Sequence, residues 1–264
     1  MTQTLRLADG GLRLDLGRIA QLTLCRPQAR NALTRAMWDG LAEAAARINA
    51  NDPTRVLVIS GEGDKAFSAG ADIAEFPETY ATKATTDAYN GAVRQAQAAI
   101  AAVAMPTIAE VRGACFGGGC GLALHCDLRF AAETARFAIT PARLGLAYSF
   151  EDTARLVTHV GAARAKDILM SGRVVCASEA LGIGLVDRVL PDADLAAAVA
   201  DYANSLAALS KDSIRIAKMT INAIAKGDAA PSPEFRQAFE ATFAGPDFAE
   251  GSRAFMEKRA PKFK

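Results

Sequence analysis

Apolar and polar residues alternate near the N-terminus in the manner of half-buried β-strands. Residues 5–7 read LRL, residues 12–16 read LRLDL, and residues 19–24 form a further apolar segment that ends before Pro27. A period of two residues places successive side chains on opposite faces of a strand. These segments therefore predict strands with one face against a core.

Helical spacing follows after Thr34, which is a suitable N-cap residue because its hydroxyl can accept a hydrogen bond from the first helical turn. The apolar residues that share one predicted helix face are Met37, Leu41, Ala45 and Ile48. The apolar run at 55–60 predicts a buried parallel strand. Residues 78–104 predict a long helix that ends before Pro106.

The second half of the chain is expected to begin with strands and continue with helices. A strand at 107–111 leads into a glycine-rich turn, which is followed by a helix at 119–126. Short strands are predicted at 128–131 and 137–140, and one more near 185–189 interrupts a helical pattern. The sequence predicts an α/β core over residues 1–190 and a helical region over residues 191–264.

Composition narrows the possible functions. The chain has 264 residues and a formal net charge of +1, so no broad basic field favours nucleic acid or an anionic membrane. The N-terminus lacks the pattern of a signal peptide, and no apolar window approaches 18 residues. The five cysteines are scattered, without CxxC pairs or clustered histidines, which predicts reduced thiols, no metal site and a cytoplasmic location.

Four segments carry a family resemblance, in order and with compatible spacing. They read RPQARNAL at 26–33, GDKAFSAGADI at 63–73, MPTIAEVRG at 105–113 followed by GGGC at 117–120 and LALHCD at 122–127, and FMEKR at 255–259. Together they resemble the crotonase (enoyl-CoA hydratase/isomerase) superfamily across nearly the whole chain. The resemblance implies a stack of ββα turns with two roughly perpendicular sheets. It also implies C-terminal helices that build a homotrimer or a dimer of trimers.

The resemblance further implies an enzyme that stabilises the enolate of an acyl-CoA thioester. The thioester oxygen would be held by the backbone N–H groups of Ala71 and Gly118. Such an oxyanion hole requires donors placed in advance where negative charge develops. Coenzyme A would be part of the substrate, and no separate cofactor is expected.

Substrate contacts are assigned from the same motifs. Arg26, Arg30 and Lys258 are candidates for the CoA phosphates, because cationic side chains suit phosphate oxygens; each could equally be a solvated surface charge. The remaining residues expected along the acyl-pantetheine channel are Ala32, Ser68, Ala69, Gly70, Asp72, Ile73, Gly117 and Pro141.

Two positions depart from the hydratase pattern. Hydratases of this family use two glutamates as acid and base, and the corresponding positions here are Gly121 and Pro141. Neither residue can activate water, which argues for isomerisation or decarboxylation rather than hydration. Tyr148 lies in a stretch similar to the decarboxylase branch, although that branch has a histidine at the position of Ala71. Tyr148 could equally be a packed core residue.

The loop after Tyr148 supplies another candidate, because some isomerases of the dienoyl-CoA type carry a catalytic aspartate there. Glu151 or Asp152 could shuttle a proton from this loop, although Asp152 is expected rather to be the N-cap of the following helix. His125, among apolar neighbours, is expected to be buried and structural. Two other functions stay open: an acyl-CoA-binding protein without turnover, and a hydrolase of a substrate without CoA, such as a cyclic diketone.

Overall fold

The computed structural model describes residues 3–51 and 53–263. The strands are β1 (Gln3–Leu7), β2 (Leu12–Leu16), β3 (Ile19–Leu24), β4 (Val56–Gly61), β5 (Ala66–Ser68), β6 (Thr107–Val111), β7 (Ala114–Phe116), β8 (Leu128–Ala132), β9 (Arg136–Ala138), β10 (Val175–Cys176) and β11 (Arg188–Leu190). The α-helices are α1 (Arg35–Ala50), α2 (Phe76–Thr79), α3 (Lys83–Ala101), α4 (Gly118–Leu124), α5 (Phe150–Ser171), α6 (Ala177–Gly182), α7 (Leu195–Ala207), α8 (Lys211–Ala225), α9 (Pro233–Phe243) and α10 (Pro246–Met256).

The strands of the described residues form two sheets. The larger has the order β1-β2-β3-β4-β6-β8-β11, and the smaller has the order β10-β9-β7-β5. The pairs β4/β5, β6/β7 and β8/β9 each send one strand to each sheet before the chain turns into helix. Neighbouring repeats pair in parallel in both sheets. This stack of ββα units confirms the α/β fold that the resemblance implies.

The core fills the space between the sheets and helices α1, α3, α4 and α5. Helix α1 follows its sequence pattern closely: Thr34 Oγ1 accepts a hydrogen bond from Met37 N, and the four residues on the predicted apolar face are buried. Helix α7 packs its own apolar face against the outer side of β4, β6 and β8, in a second cluster that includes Phe130. The division of the chain at residue 190 stays a prediction.

Two predicted helix limits are wrong in detail. The long helix expected over 78–104 is α3, which begins at Lys83 because Thr82 and Thr85 form a reciprocal capping box, and it ends at Ala101. Residues 76–79 form the separate short helix α2. Among the described residues, no helix is long and apolar enough to cross a membrane.

Candidate active site

The central feature of the site is the meeting of two loops at the ends of adjacent parallel strands. Strand β5 leads into residues 69–72, and β7 leads through Gly117 into α4; because the strands pair in parallel, both loops leave from the same edge. Gly70 has φ +95°, and a Cβ there would lie 2.8 Å from Phe116 O. Gly117 has φ +49° and ψ −116°, a conformation that favours glycine. The two glycines allow a backbone approach that side chains would block.

The N–H groups of Ala71 and Gly118 are neighbours in this arrangement. Leu33 N donates to Gly70 O and Asp72 N donates to Leu33 O, which leaves the Ala71 N–H directed away from Leu33. A Cβ built on Gly118 would lie 3.7 Å from Ala71 N. The Gly118 N–H belongs to the first turn of α4 and therefore has no intrahelical acceptor. The structure thus brings the two predicted backbone donors close together, and their role toward a thioester oxygen stays a prediction.

Several predicted channel residues hold this geometry rather than face a channel. Ser68 is fully buried; its hydroxyl donates to Asn31 O at 2.8 Å and accepts from Gly70 N at 3.1 Å. Arg26 Nη1 lies 2.7 Å from Asp72 Oδ2 and donates to Ala32 O at 2.7 Å. Burial opposes ionisation of Asp72, but its contacts with Arg26 and the Ala74 N–H lower the pKa of the carboxyl group. These bonds tie residues 26–33 to the Ala71 loop.

The proposed phosphate-binding cations differ in their contacts and exposure. Arg26 forms an ion pair with Asp72, so only its remaining N–H groups could contact CoA. That role stays a prediction. Arg30 is exposed beside a small cavity that Lys65 also lines. Lys258 is exposed just after α10. Ile73 is 61% exposed at the loop surface. The assignments of Arg30, Lys258 and Ile73 also stay predictions.

Polar side chains from other parts of the chain surround Gly121, which has no side chain of its own. A Cβ on Gly121 would lie 2.6 Å from Asp152 Oδ1, 2.6 Å from Gln97 Nε2 and 3.0 Å from the Tyr148 hydroxyl. Gly121 is one turn along α4 from Gly118, which is about 4.5 Å of helix rise. Three polar side chains therefore converge on the space where the resemblance puts a hydratase glutamate.

Asp152 is the buried acid of this site, and the prediction that it caps α5 is wrong. Ser149 is the N-cap, because its hydroxyl accepts from Asp152 N. Asp152 is 4% exposed; its Oδ2 accepts from Ser149 Oγ at 2.9 Å, whereas Oδ1 has no hydrogen-bond partner among the described residues. Burial raises the pKa of Asp152 to about 6, against the lowering influence of Ser149 and Gln97. Gln97 lowers the pKa because its amide lies close to the Asp152 carboxyl group, although no aligned hydrogen bond joins the two side chains.

Glu151, the predicted proton shuttle, faces elsewhere. It is exposed in the first turn of α5 and lines a separate cavity against α3 and α8. Adjacent residues on a helix point about 100° apart, so only one of Glu151 and Asp152 can face Gly121. The structure places Asp152 there.

Tyr148 lies between Asp152 and the oxyanion loop. Its hydroxyl donates to Gly117 O at 3.3 Å, next to the Gly118 donor. Burial, followed by the nearby Asp152 carboxylate, raises the pKa of this phenol well above its usual value. Tyr148 is therefore a neutral hydrogen-bond donor. Pro141, the second position without a glutamate, begins a 3₁₀ turn at Pro141–Leu144.

Sequence reasoning missed Gln97. Its helix is rich in alanine, and Val93, Gln97 and Ile100 recur at helical spacing on the inner face of α3. The signal that could have identified Gln97 is an amide side chain at a position where the helical spacing predicts an apolar one. His125 is buried, as predicted, and its Nδ1 lies 2.8 Å from Gly121 O. Burial is the main reason that the pKa of His125 is lowered to about 4, so the ring is neutral.

Comparisons with known proteins agree with this architecture. The sequence model described as enoyl-CoA hydratase/isomerase matches residues 16–264. The chain is 37% identical over 258 residues to the "Probable enoyl-CoA hydratase echA8" of Mycobacterium leprae, covering 97% of this chain and 96% of that protein. It is 34% identical to the crotonyl-CoA hydratase of Syntrophomonas wolfei, covering 93% and 94% of the two chains. A crystal structure of an enoyl-CoA hydratase/carnithine racemase from Magnetospirillum magneticum superposes with a TM-score of 0.92 at 35% identity, covering 96% and 95%.

Proposed function

Because the chain belongs to the enoyl-CoA hydratase/isomerase family, we propose that it is an acyl-CoA isomerase that shifts a double bond through a thioester enolate. The N–H groups of Ala71 and Gly118 hold the enolate oxygen, and Asp152 moves the proton. The observation that carries this proposal is the buried Asp152 carboxylate, whose Oδ1 faces Gly121 without a hydrogen-bond partner among the described residues.

The protonation of Asp152 suits such a role. With a pKa of about 6, the group is mostly ionised at neutral pH, yet it is a stronger base than an ordinary aspartate. It accepts a proton from the carbon next to the thioester or its vinylogous position, and returns it to the other end of the allylic enolate. The two N–H donors stabilise the charge on the oxygen between these steps. No water molecule needs to be activated.

Gly121 and Pro141 support isomerisation over hydration. Hydration by two carboxylates needs one to activate water and another to deliver a proton, and the region around Gly121 offers Asp152 as its carboxylate. Gln97 is an amide and cannot act as a second acid at neutral pH. Relatives named hydratases match this chain over more than nine-tenths of its length, so the proposed difference in reaction depends on these side chains.

Decarboxylation is the second candidate, and Tyr148 favours it. If its single O–H turns away from Gly117 O, the neutral phenol can donate to a carboxylate on the α-carbon of the substrate. Loss of carbon dioxide needs the oxyanion hole but no strong base, and the resulting enolate is then protonated. Asp152 would have to be protonated for that last step, which a pKa of about 6 makes less frequent at neutral pH.

Product analysis tests the proposal. The protein is incubated separately with 2-enoyl-, 3-enoyl- and malonyl-type CoA thioesters, and the products are separated and identified by mass spectrometry and NMR. Interconversion of the 2-enoyl and 3-enoyl thioesters supports the isomerase. Loss of carbon dioxide from the malonyl-type thioester supports the decarboxylase. A 3-hydroxyacyl product formed at a rate comparable to isomerisation contradicts the proposal, and no change in any thioester favours a binding protein or a substrate without CoA.

We also propose that the chain assembles as a trimer through its C-terminal helices. Helices α8 to α10 expose large apolar side chains, among them Ile221, Ile224, Phe239, Phe243, Phe248, Phe255 and Met256. Contiguous apolar surface of this kind is uncommon on monomers. Light scattering coupled to size-exclusion chromatography measures the mass; three times 27.6 kDa, or a multiple of it, is expected, and a monomer contradicts this part of the proposal.

A further inference from the structure

A cavity of about 680 Å³ has Gln97 and His125 in its lining. Its walls come from the second half of α3, the start of α5 and the length of α8, and Gln97 and His125 form part of the wall nearest α4. Both residues also contact the Gly121 position, through the short Gln97 Nε2 approach and the bond between His125 and Gly121 O. We call this space the α3–α8 cavity.

Gln97 gives the cavity an unmet hydrogen-bonding requirement. The residue is 1% exposed, and neither its Nε2 nor its Oε1 has a hydrogen-bond partner among the residues that the structure describes. A buried amide without partners is unfavourable, and native proteins rarely retain one without a reason. Nε2 is directed toward Gly121, so a ligand oxygen that reaches the end of the cavity beside Gly121 would accept from it and remove this cost.

The charge of the lining favours an anionic ligand. The basic side chains are Arg94, Arg155, Arg215, Lys218 and Lys226, and the acidic ones are Glu151 and Asp228. Lys218 is neutralised by Asp127 at 2.7 Å, and Arg215 lies 3.6 Å from Asp212. Arg94, Arg155 and Lys226 have no ion-pair partner within residues 3–51 and 53–263, so they outnumber the two acids of the lining.

Two of these cations, Arg94 and Arg155, line the same cavity as Gln97 and could bind one ligand together with it. Arg94 precedes Gln97 by three residues, which puts both on one face of α3. Arg155 is near enough to His125 to lower the pKa of that ring, after the larger effect of burial. A guanidinium group presents paired N–H donors that match the two oxygens of a carboxylate.

We infer that the α3–α8 cavity binds a carboxylate group, with Gln97 as a neutral donor and Arg94 and Arg155 as cationic donors. The carboxylate could come from the far end of the substrate's acyl group or from a free small dicarboxylate. The first source rests on the proposed function. In that case the substrate class is a CoA thioester of a dicarboxylic acid, whose chain passes Asp152 before it enters the cavity.

The first arm of the test measures binding without turnover. Glutarate is titrated into the protein, with sodium chloride at matched ionic strength as the reference, and melting temperature and calorimetric heat are followed. The double variant Arg94→Gln/Arg155→Gln should bind glutarate at least tenfold more weakly than the unmodified protein. Arg164→Gln removes one positive charge from an exposed position of the same helix α5, outside the cavity, and should bind normally. Gln97→Met, of similar volume, provides a second test if the double variant folds poorly, and should also weaken binding.

The second arm identifies the source of the carboxylate. The value of kcat/KM is measured for a five-carbon enoyl-CoA that ends in a carboxylate and for one that ends in a methyl group. A preference of about tenfold or more for the carboxylate, lost in Arg94→Gln/Arg155→Gln, identifies the acyl end. Glutarate binding that depends on the two arginines, without such a preference, identifies a free dicarboxylate.

The inference is overturned if neither glutarate binding nor substrate preference differs between the unmodified protein and the variants. The binding arm requires no reaction. An absence of turnover on every thioester would therefore remove the proposed function and leave the carboxylate site to be decided by glutarate alone.

Discussion

Replacement of Asp152 by asparagine should stabilise the fold while it removes activity. The pKa of the Asp152 carboxyl group rises from 3.8 to about 6 on folding, chiefly because the group is buried. Between these two values the native state binds more protons than the unfolded state, so the free energy of unfolding falls as the pH rises. A shift of about two units corresponds to roughly 3 kcal/mol, which is fully lost above pH ~7. The asparagine side chain of the Asp152→Asn variant carries no charge at any of these pH values.

The assay is urea unfolding, followed by circular dichroism, at intervals from about pH 4.5 to about pH 8. We expect Asp152→Asn to exceed the unmodified protein by about 2–3 kcal/mol at the upper end of this range, and the difference to shrink to about 1 kcal/mol at the lower end. Glu151→Gln is the matched control, because it removes a charge from the adjacent, exposed position; its difference should stay small. A variant that is less stable at the upper end, or a difference that does not change with pH, would refute the assignment of a buried, ionised Asp152.

The other predictions concern the base and the loops. If Asp152 is the base, kcat/KM should fall as the pH drops below about 6, which a pH–rate profile measures; a profile that stays flat through this pH argues against it. Gly118→Pro, which lacks the N–H, should reduce kcat by about 10²–10³, whereas Gly118→Ala keeps the N–H and meets Trp38 at 3.1 Å, so it should lose less; equal losses would count against the donor role. Gly121→Ala should destabilise the fold by about 1–3 kcal/mol, because its Cβ meets Asp152 and Gln97 at 2.6 Å. Gly91→Ala in the open part of α3 should instead stabilise the fold by up to about 1 kcal/mol, and denaturant unfolding of both variants checks the contrast.

Individual strands and helices were readable from the sequence because each carries a local signal, whereas the ββα architecture was predicted from the family resemblance. Alternating residues in β1 and β2, the continuous apolar run of β4 and the Thr34 cap of α1 all act over a few neighbouring positions. The Ala71 and Gly118 loops were identified from motifs, and the structure brings their N–H groups together as expected. That assignment came from the family resemblance, and the two loops lie together because they leave from adjacent parallel strands.

The side chains around Gly121 could not be predicted in the same way. Asp152 and Ser149 both have good capping chemistry, and only the turn that ends at Ser149 decides which of them caps α5. Gln97 reaches the site from α3, a separate helix that precedes strands β6 and β7 in the sequence. The burial that raises the pKa of Asp152 is created by packing of α3, α4 and α5 together, which no local pattern encodes.

The most direct test of the account is exchange of the α-proton of a saturated acyl-CoA in heavy water, followed by mass spectrometry. The reaction needs only the oxyanion hole and a base, so it reports enolate formation before any later step. We predict incorporation of deuterium by the unmodified protein and by Glu151→Gln, and a loss of about 100-fold or more in Asp152→Asn, the size typical of removing a general base. Exchange that persists unchanged in Asp152→Asn would contradict the central claim that this buried carboxylate moves the proton.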